Sequence, residues 1–234
     1  TVPGSVRQTS VPGVPPGTYF ARVTATNAAG ASAPSQEASV GVSTNGVLKS
    51  TLNPPGVPIS IEARTSQAVT NGQLPSSTFD DFVFPAGATF SQVSWQGIYC
   101  RAVNNSGLPS PTASAFNIRI HADGGGQPVT AAAVYTANLS LAQANETFAG
   151  AFTNATCSGA TNTTWALYSY SVNLPTPFTA QPGVRYWLTV QAVTPSYGTY
   201  YGWRRGSNDN FLSYQFFNGG LTRFSNDRAF ALAP

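Results

Sequence analysis

Phe116-Asn117-Ile118-Arg119-Ile120-His121-Ala122-Asp123-Gly124-Gly125-Gly126-Gln127-Pro128 decides the fold class. Phe116, Ile118 and Ile120 alternate with Asn117, Arg119 and His121. In an extended strand successive side chains point to opposite sides, so one face of this run is apolar and the other polar. The pattern then breaks at Asp123–Pro128, a cluster of turn residues. The same two-residue period recurs on both sides of it. Thr89–Gly97 puts Val93 and Trp95 on one face. Trp165–Leu174 alternates Tyr168, Tyr170, Val172 and Leu174. Val184–Ala192 alternates Tyr186, Leu188 and Val190, with Trp187 on the opposite face. Phe79–Phe84, Ala131–Leu141, Thr147–Phe152, Tyr200–Arg204, Phe211–Phe217 and Ala229–Leu232 complete the series. No segment carries a helical period. About ten strands between turns over residues 78–234 predict an all-β domain, a two-sheet jelly-roll-like β-sandwich.

Composition narrows the setting. Only 8% of the 234 residues are charged, against roughly 25% in ordinary soluble domains. Lys49 is the only lysine, His121 the only histidine, and methionine is absent. Thr, Ser, Asn, Gly and Ala supply the surface, as in secreted β-rich bacterial proteins. The formal net charge of +3 reflects scarce acids. The arginines are scattered, with only Arg204 and Arg205 adjacent, so no nucleic-acid partner is expected. No apolar run reaches the ~18 residues of a membrane-spanning helix, so no membrane insertion is expected. In an extracellular setting Cys100 and Cys157 are expected to form a disulfide. That loop closure would stabilise the fold by about 4 kcal/mol.

Before the sandwich the chain has a different organisation. From Val14-Pro15-Pro16-Gly17 to Ala33-Pro34-Ser35 the sequence alternates, with Tyr19, Ala21, Val23 and Ala25 on one face and Arg22, Thr24 and Thr26 on the other. Asn27-Ala28-Ala29-Gly30 is a turn before a last strand ending near Val42. Residues 9–42 resemble the last strands of a fibronectin type III domain, with Tyr19 at the position of its corner tyrosine. Such a sandwich takes about 100 residues, so the chain is expected to be a fragment of a longer secreted protein or to take its missing strands from elsewhere. Residues 43–77 are rich in Pro, Gly, Ser, Thr and Asn and read as a linker. Within them Ile59–Ala63 and Gln67–Val69 are extended stretches able to pair with a sheet edge. In residues 78–234, Asp80–Thr89, Val93–Gly97, Phe116–Pro128, Val184–Leu188 and Asp227–Leu232 resemble blocks of a β-sandwich accessory module of secreted and surface-anchored bacterial proteins. That resemblance implies a non-catalytic role and transfers no active-site residue.

Few residues offer catalysis. A nucleophile–base arrangement would need His121, which reads as a surface histidine at the end of a strand, and no Gly-x-Ser-x-Gly elbow is present. Asp80, Asp81, Asp123, Glu146, Asp209 and Asp227 are the candidate carboxylates for a glycosidase pair, and none sits in a hydrolase motif. No catalytic residue is assigned, and no cofactor is expected beyond a structural calcium. Asp80, Asp81 and Asp227 flank the first and last strands of the sandwich; side by side, those strands would bring hard oxygen ligands together. The candidate ligand or partner surface is Tyr197-Gly198-Thr199-Tyr200-Tyr201-Gly202-Trp203-Arg204-Arg205 with the following loop. There Tyr197, Tyr200, Tyr201 and Trp203 would stack on a sugar or partner, and Arg204, Arg205, Asn208 and Asp209 would supply directional hydrogen bonds; the alternative is that Tyr201 and Trp203, two residues apart, are core, with Tyr200 filling the other face. Asn104, Asn138, Asn145, Asn154 and Asn162 are glycosylation sequons, which matter only in a source that glycosylates.

The leading functional expectation is a non-catalytic extracellular or cell-surface module of a bacterium, binding glycans or a surface protein in adhesion. A second is a structural subunit of a filament, sheath or layer, joined to copies of itself through open strand edges. A third is the accessory region of a secreted hydrolase whose catalytic domain lies elsewhere.

Overall fold

Alternation becomes sheet faces in a computed structural model that describes residues 17–42, 47–53, 62–69, 75–102, 113–157, 160–194, 199–207 and 210–234. Chain order begins with β1 (Gly17–Ala21), β2 (Thr26–Asn27), β3 (Gly30–Ala31) and β4 (Ala38–Val42). Strand β1 pairs antiparallel with β4, and β2 with β3. Ser35 and Ser32 tie the legs between them, their hydroxyls accepting from the N–H groups of Val23 and Ala25. Every side chain from residue 22 to residue 37 is exposed, and Phe20 is 65% exposed. These residues form a β-hairpin; the finer expectation, a fibronectin type III segment, is not supported by it. The side chain of Tyr19 lies outside the described residues.

The strands that follow are β5 (Lys49–Ser50), β6 (Ala63–Thr65), β7 (Gln67–Val69), β8 (Ser76–Val83), β9 (Ala88–Ala102), β10 (Ala115–Asp123) and β11 (Pro128–Ser140). After them come β12 (Thr147–Cys157), β13 (Ala160–Ala180), β14 (Arg185–Thr194), β15 (Thr199–Arg204), β16 (Ser213–Phe217), β17 (Gly220–Phe224) and β18 (Phe230–Ala233). They build two sheets. Sheet I has the order β11-β10-β14-β7-β8-β16-β17, with β14 also pairing β8. Sheet II has the order β12-β13-β9-β15-β6, with β18 added to β9 and β5 to β18. One short 3₁₀ turn, Leu141–Ala144, separates β11 from β12 and is capped by Ser140. The architecture is an all-β sandwich, as the two-residue period predicts.

Between the sheets lies one apolar core. Phe116, Ile118 and Ile120 of β10 and Leu188 and Val190 of β14 face Trp95 of β9, Tyr170 of β13 and Tyr201 of β15. Trp95 stacks on Tyr170 at 4.9 Å and meets Phe116 edge-on at 5.2 Å. Its indole N–H donates to Tyr201 Oη at 2.8 Å. That contact needs Gly97, because a Cβ there would overlap the Tyr201 ring and hydroxyl.

Within residues 43–77, Gln67–Val69 pairs as β7, as its extended pattern allows, while β5 and β6 depart from the linker expectation; residues 59–61 lie outside the described residues. Strand β6 pairs with β15 in sheet II and β7 with β14 in sheet I, so the chain changes sheets at Ser66. This residue is fully buried. Its N–H donates to Tyr201 O at 3.2 Å in sheet II, and its carbonyl accepts from Ala192 N at 3.0 Å in sheet I. Its hydroxyl donates to Val190 O at 2.6 Å and accepts from Thr78 N at 3.2 Å.

Ser66→Ala would leave a buried carbonyl and a buried N–H without that partner. A loss of about 1–3 kcal/mol is expected, read from the denaturant midpoint; an unchanged midpoint would show the corner to be held by packing alone.

Candidate functional site

Strand β15 splits the predicted aromatic surface in two. Alternation sends Tyr201 and Trp203 inward, and both are fully buried. The Trp203 indole N–H donates to Ala229 O at 3.0 Å, and its ring packs on Phe230. Neither ring can stack on a ligand, so the expected platform is corrected: these two are core. Arg204 points outward yet is buried, with Nη1 donating to Gln96 Oε1 at 3.0 Å. Tyr200 and Arg205 are half-buried, Arg205 lying 3.6 Å from Glu62. Tyr197, Asn208 and Asp209 lie outside the described residues.

The three aspartates expected around calcium are held differently. Asp80 and Asp81 are neighbours on β8 and therefore point to opposite faces. The first and last strands also lie in different sheets, not side by side. Asp80 turns inward and accepts from the backbone N–H groups of Arg228, at 2.5 Å, and Asp81, at 2.9 Å. Asp81 turns outward and accepts from Asn210 Nδ2 at 2.7 Å, with Arg185 Nε at 3.4 Å. Asp227 accepts from the N–H groups of Phe211 and Leu212, at 3.3 and 3.0 Å. Their oxygens serve as hydrogen-bond acceptors for the chain. Among the described residues no group of three His, Cys, Asp or Glu side chains is placed to hold a metal ion. Burial holds the Asp80 carboxyl well above the ordinary carboxylate range; the Arg228 N–H opposes this and the Asp227 charge adds to it.

The outer face of sheet I gathers polar and aromatic side chains in cross-strand rows. His121, Trp187 and Asp81 form one row across β10, β14 and β8. Arg119, Thr189, Phe79 and Tyr214 form the next, reaching β16. Trp187 is fully buried as the floor. Its indole N–H donates to Asp123 Oδ1 at 2.8 Å, and the Tyr214 ring meets it edge-on at 5.3 Å. The Arg185 guanidinium lies 6.0 Å from the Trp187 ring centroid. Arg119 Nη1 donates to Gln191 Oε1 at 3.3 Å. Tyr214, Arg119, Arg185 and Asp123 are half-buried and form the accessible layer. His121, expected as a surface histidine, is buried instead. Its Nδ1 faces the carbonyls of Val129 and Ala132, its ring meets Phe79 edge-on, and burial lowers its pKa. The sequence signal for this face is the placement of Trp187 opposite Leu188 and Val190, and of Arg119 and His121 opposite Ile118 and Ile120.

Residues 65–217 match the family described as a domain of unknown function, DUF7901. The match spans more than half of the chain and most of the sandwich, and the chain belongs to that family. No curated protein matches it, and no solved structure does.

Two measurements bear on these residues. An acid whose pKa is raised by folding loses stability as pH climbs from its unfolded value, about 3.9, through its folded one, because the unfolded chain releases the proton first. Asp80→Asn removes that titration. The stability of the wild type minus that of the variant is therefore expected to fall as the pH rises above about 4; a flat difference would show that Asp80 ionises without penalty. Cys100 is buried on β9, and no cysteine among the described residues is free. The side chain of Cys157, at the end of β12, lies outside them. We propose that the two are bonded. Intact mass after alkylation, with and without reductant, tests the pairing; two thiols alkylated in the unreduced native protein would exclude it.

Proposed function

We propose that this DUF7901 chain is a non-catalytic extracellular bacterial module that binds a glycan or a cell-surface partner through the outer face of sheet I. The observation that carries the reading is the half-buried layer of Tyr214, Arg119, Arg185 and Asp123 over the Trp187 floor. A tyrosine ring offers an apolar flank to sugar C–H surfaces, while arginine and carboxylate groups address hydroxyls with fixed direction. These groups are braced by hydrogen bonds to Gln191 and Trp187 and by the ion pair to Asp81. Such bracing lowers the ordering cost of binding.

A second reading, a structural subunit joined to copies of itself, draws on other features. Strand β11 is an edge of sheet I, thirteen residues long and without a charged side chain. Phe20 and Val23 of the hairpin are 65% and 73% exposed. Long uncharged edges pair readily with other strands. Sedimentation separates the readings, since self-association that grows with concentration belongs to the second.

On a glycan array and in polysaccharide pull-downs the protein is expected to retain at least one glycan class without turning it over. Tyr214→Ala is expected to weaken that binding about tenfold and, since the ring also meets Trp187 edge-on, to cost about 1 kcal/mol of stability without unfolding the protein. Tyr200→Ala serves as the comparison on the other sheet. Binding that survives Tyr214→Ala but is lost in Tyr200→Ala would move the site to sheet II. Hydrolysis of any bound glycan would overturn the non-catalytic assignment.

A further inference from the structure

The sandwich interior is apolar on one side only. Toward β6, β16 and β18 it turns polar, and there Arg228 is fully buried. Its backbone is fixed, the N–H donating to Asp80 and the carbonyl accepting from Thr51 Oγ1 at 2.6 Å. Its guanidinium is different: Nε, Nη1 and Nη2 are all buried, and none has a hydrogen-bond partner. A guanidinium carries five N–H donors, and leaving a buried charge unsatisfied is among the costliest arrangements in a protein.

The carboxylates nearby are already committed. Asp80 takes two backbone N–H groups. Glu62 accepts from Arg64 Nη2 at 2.9 Å and Asn226 Nδ2 at 3.0 Å, and Arg205 Nη1 lies 3.6 Å from it. The charges of Asp80 and Glu62 act on the Arg228 guanidinium without a hydrogen bond to it, and those of Arg64 and Arg205 oppose them; Asp227 is a third carboxylate beside Asp80. The side chains of Arg64, Glu62 and Arg205 are 35%, 28% and 26% exposed, whereas Arg228 is closed off. Arg64 Nε is a further buried donor without a partner.

We infer that Arg228 is the anchor of an oxyanion-binding site entered past Arg64, taking a ligand that bears a carboxylate, sulfate or phosphate group. Two oxygens of such a group match the guanidinium fork in a way that neutral acceptors do not. The site lies between the sheets and is independent of the outer face of sheet I.

The test uses the whole protein, dialysed into buffer free of oxyanions. Its unfolding midpoint and titration heats are measured with sodium phosphate, sulfate, acetate and chloride at matched ionic strength. A saturable rise with about one site per chain is expected for an oxyanion and not for chloride. Acetate acting alone identifies a carboxylate ligand; phosphate or sulfate acting identifies a tetrahedral one. Arg228→Lys keeps the charge but loses the fork, and Arg64→Gln changes the mouth; each is expected to weaken the response about tenfold or more. If Arg228→Lys does not fold, Arg64→Gln carries the comparison alone. Identical midpoints in all four salts would overturn the inference, as would an Arg64→Gln response equal to that of the wild type.

Discussion

Four hydrogen bonds at Ser66 hold the two sheets in register, and much of the sandwich depends on that corner. A strand that leaves one sheet for another must bend, and its backbone groups must find partners on both sides. Ser66 meets this with its own N–H and carbonyl on opposite sheets and its hydroxyl bridging Val190 and Thr78. Gln67 extends the tie, its side-chain oxygen accepting from Tyr201 N at 3.0 Å. Tyr201 is thereby placed to receive the Trp95 indole over Gly97, and Trp95 in turn to stack on Tyr170. Corner and aromatic core are thus consecutive links in one chain of contacts.

The interior has two chemistries because its strands supply two patterns. Where β10 and β14 face β9 and β13, alternate residues are Phe, Ile, Leu, Val, Trp and Tyr, and dispersion and hydrophobic burial suffice. Where β8 and β16 face β6 and the segment before β18, the inward positions are Ser76, Thr78, Asp80, Ser213 and Arg228, all buried. Polar atoms there must be matched one by one. Thr78 and Gln215 manage it by donating to Thr65 O, each at 2.9 Å, and Ser213 by donating to Asn226 O at 2.5 Å. Arg228 does not, and with it the Ser76 hydroxyl; of the two only Arg228 carries a charge.

The apolar half was legible because its strands are long enough to show a period. Phe116, Ile118 and Ile120 declare an inward face without any structure, and Trp187 declares the outward one. The corner was legible only in part: Gln67–Val69 reads as an extended stretch able to pair, but three residues on either side of Ser66 are too few to reveal alternation or a change of sheet, and the surrounding Pro and Gly read as linker. Strand β15 left two readings open for another reason. It carries rings on both faces, and sequence alone does not say which face meets the core; Tyr201 and Trp203 went in and Tyr200 out. That Asp80 and Asp81 point to opposite faces of β8 is what strand alternation foretells for neighbours. The burial of His121 depends on Val129 and Ala132 folding back from the next strand, a tertiary effect with no local signal.

The pairing of β5 with β18 has a mechanical consequence. These strands run antiparallel, with Lys49 opposite Leu232 and Leu48 N donating to Leu232 O at 2.8 Å. Residues 48 and 233 therefore leave the sandwich side by side. Tension drawn through those two points would peel the strands apart one hydrogen bond at a time instead of shearing a whole ladder at once. Under load β5 would yield early, while the Ser66 corner and the Trp95 stack, lying off that line of force, would keep the remainder folded.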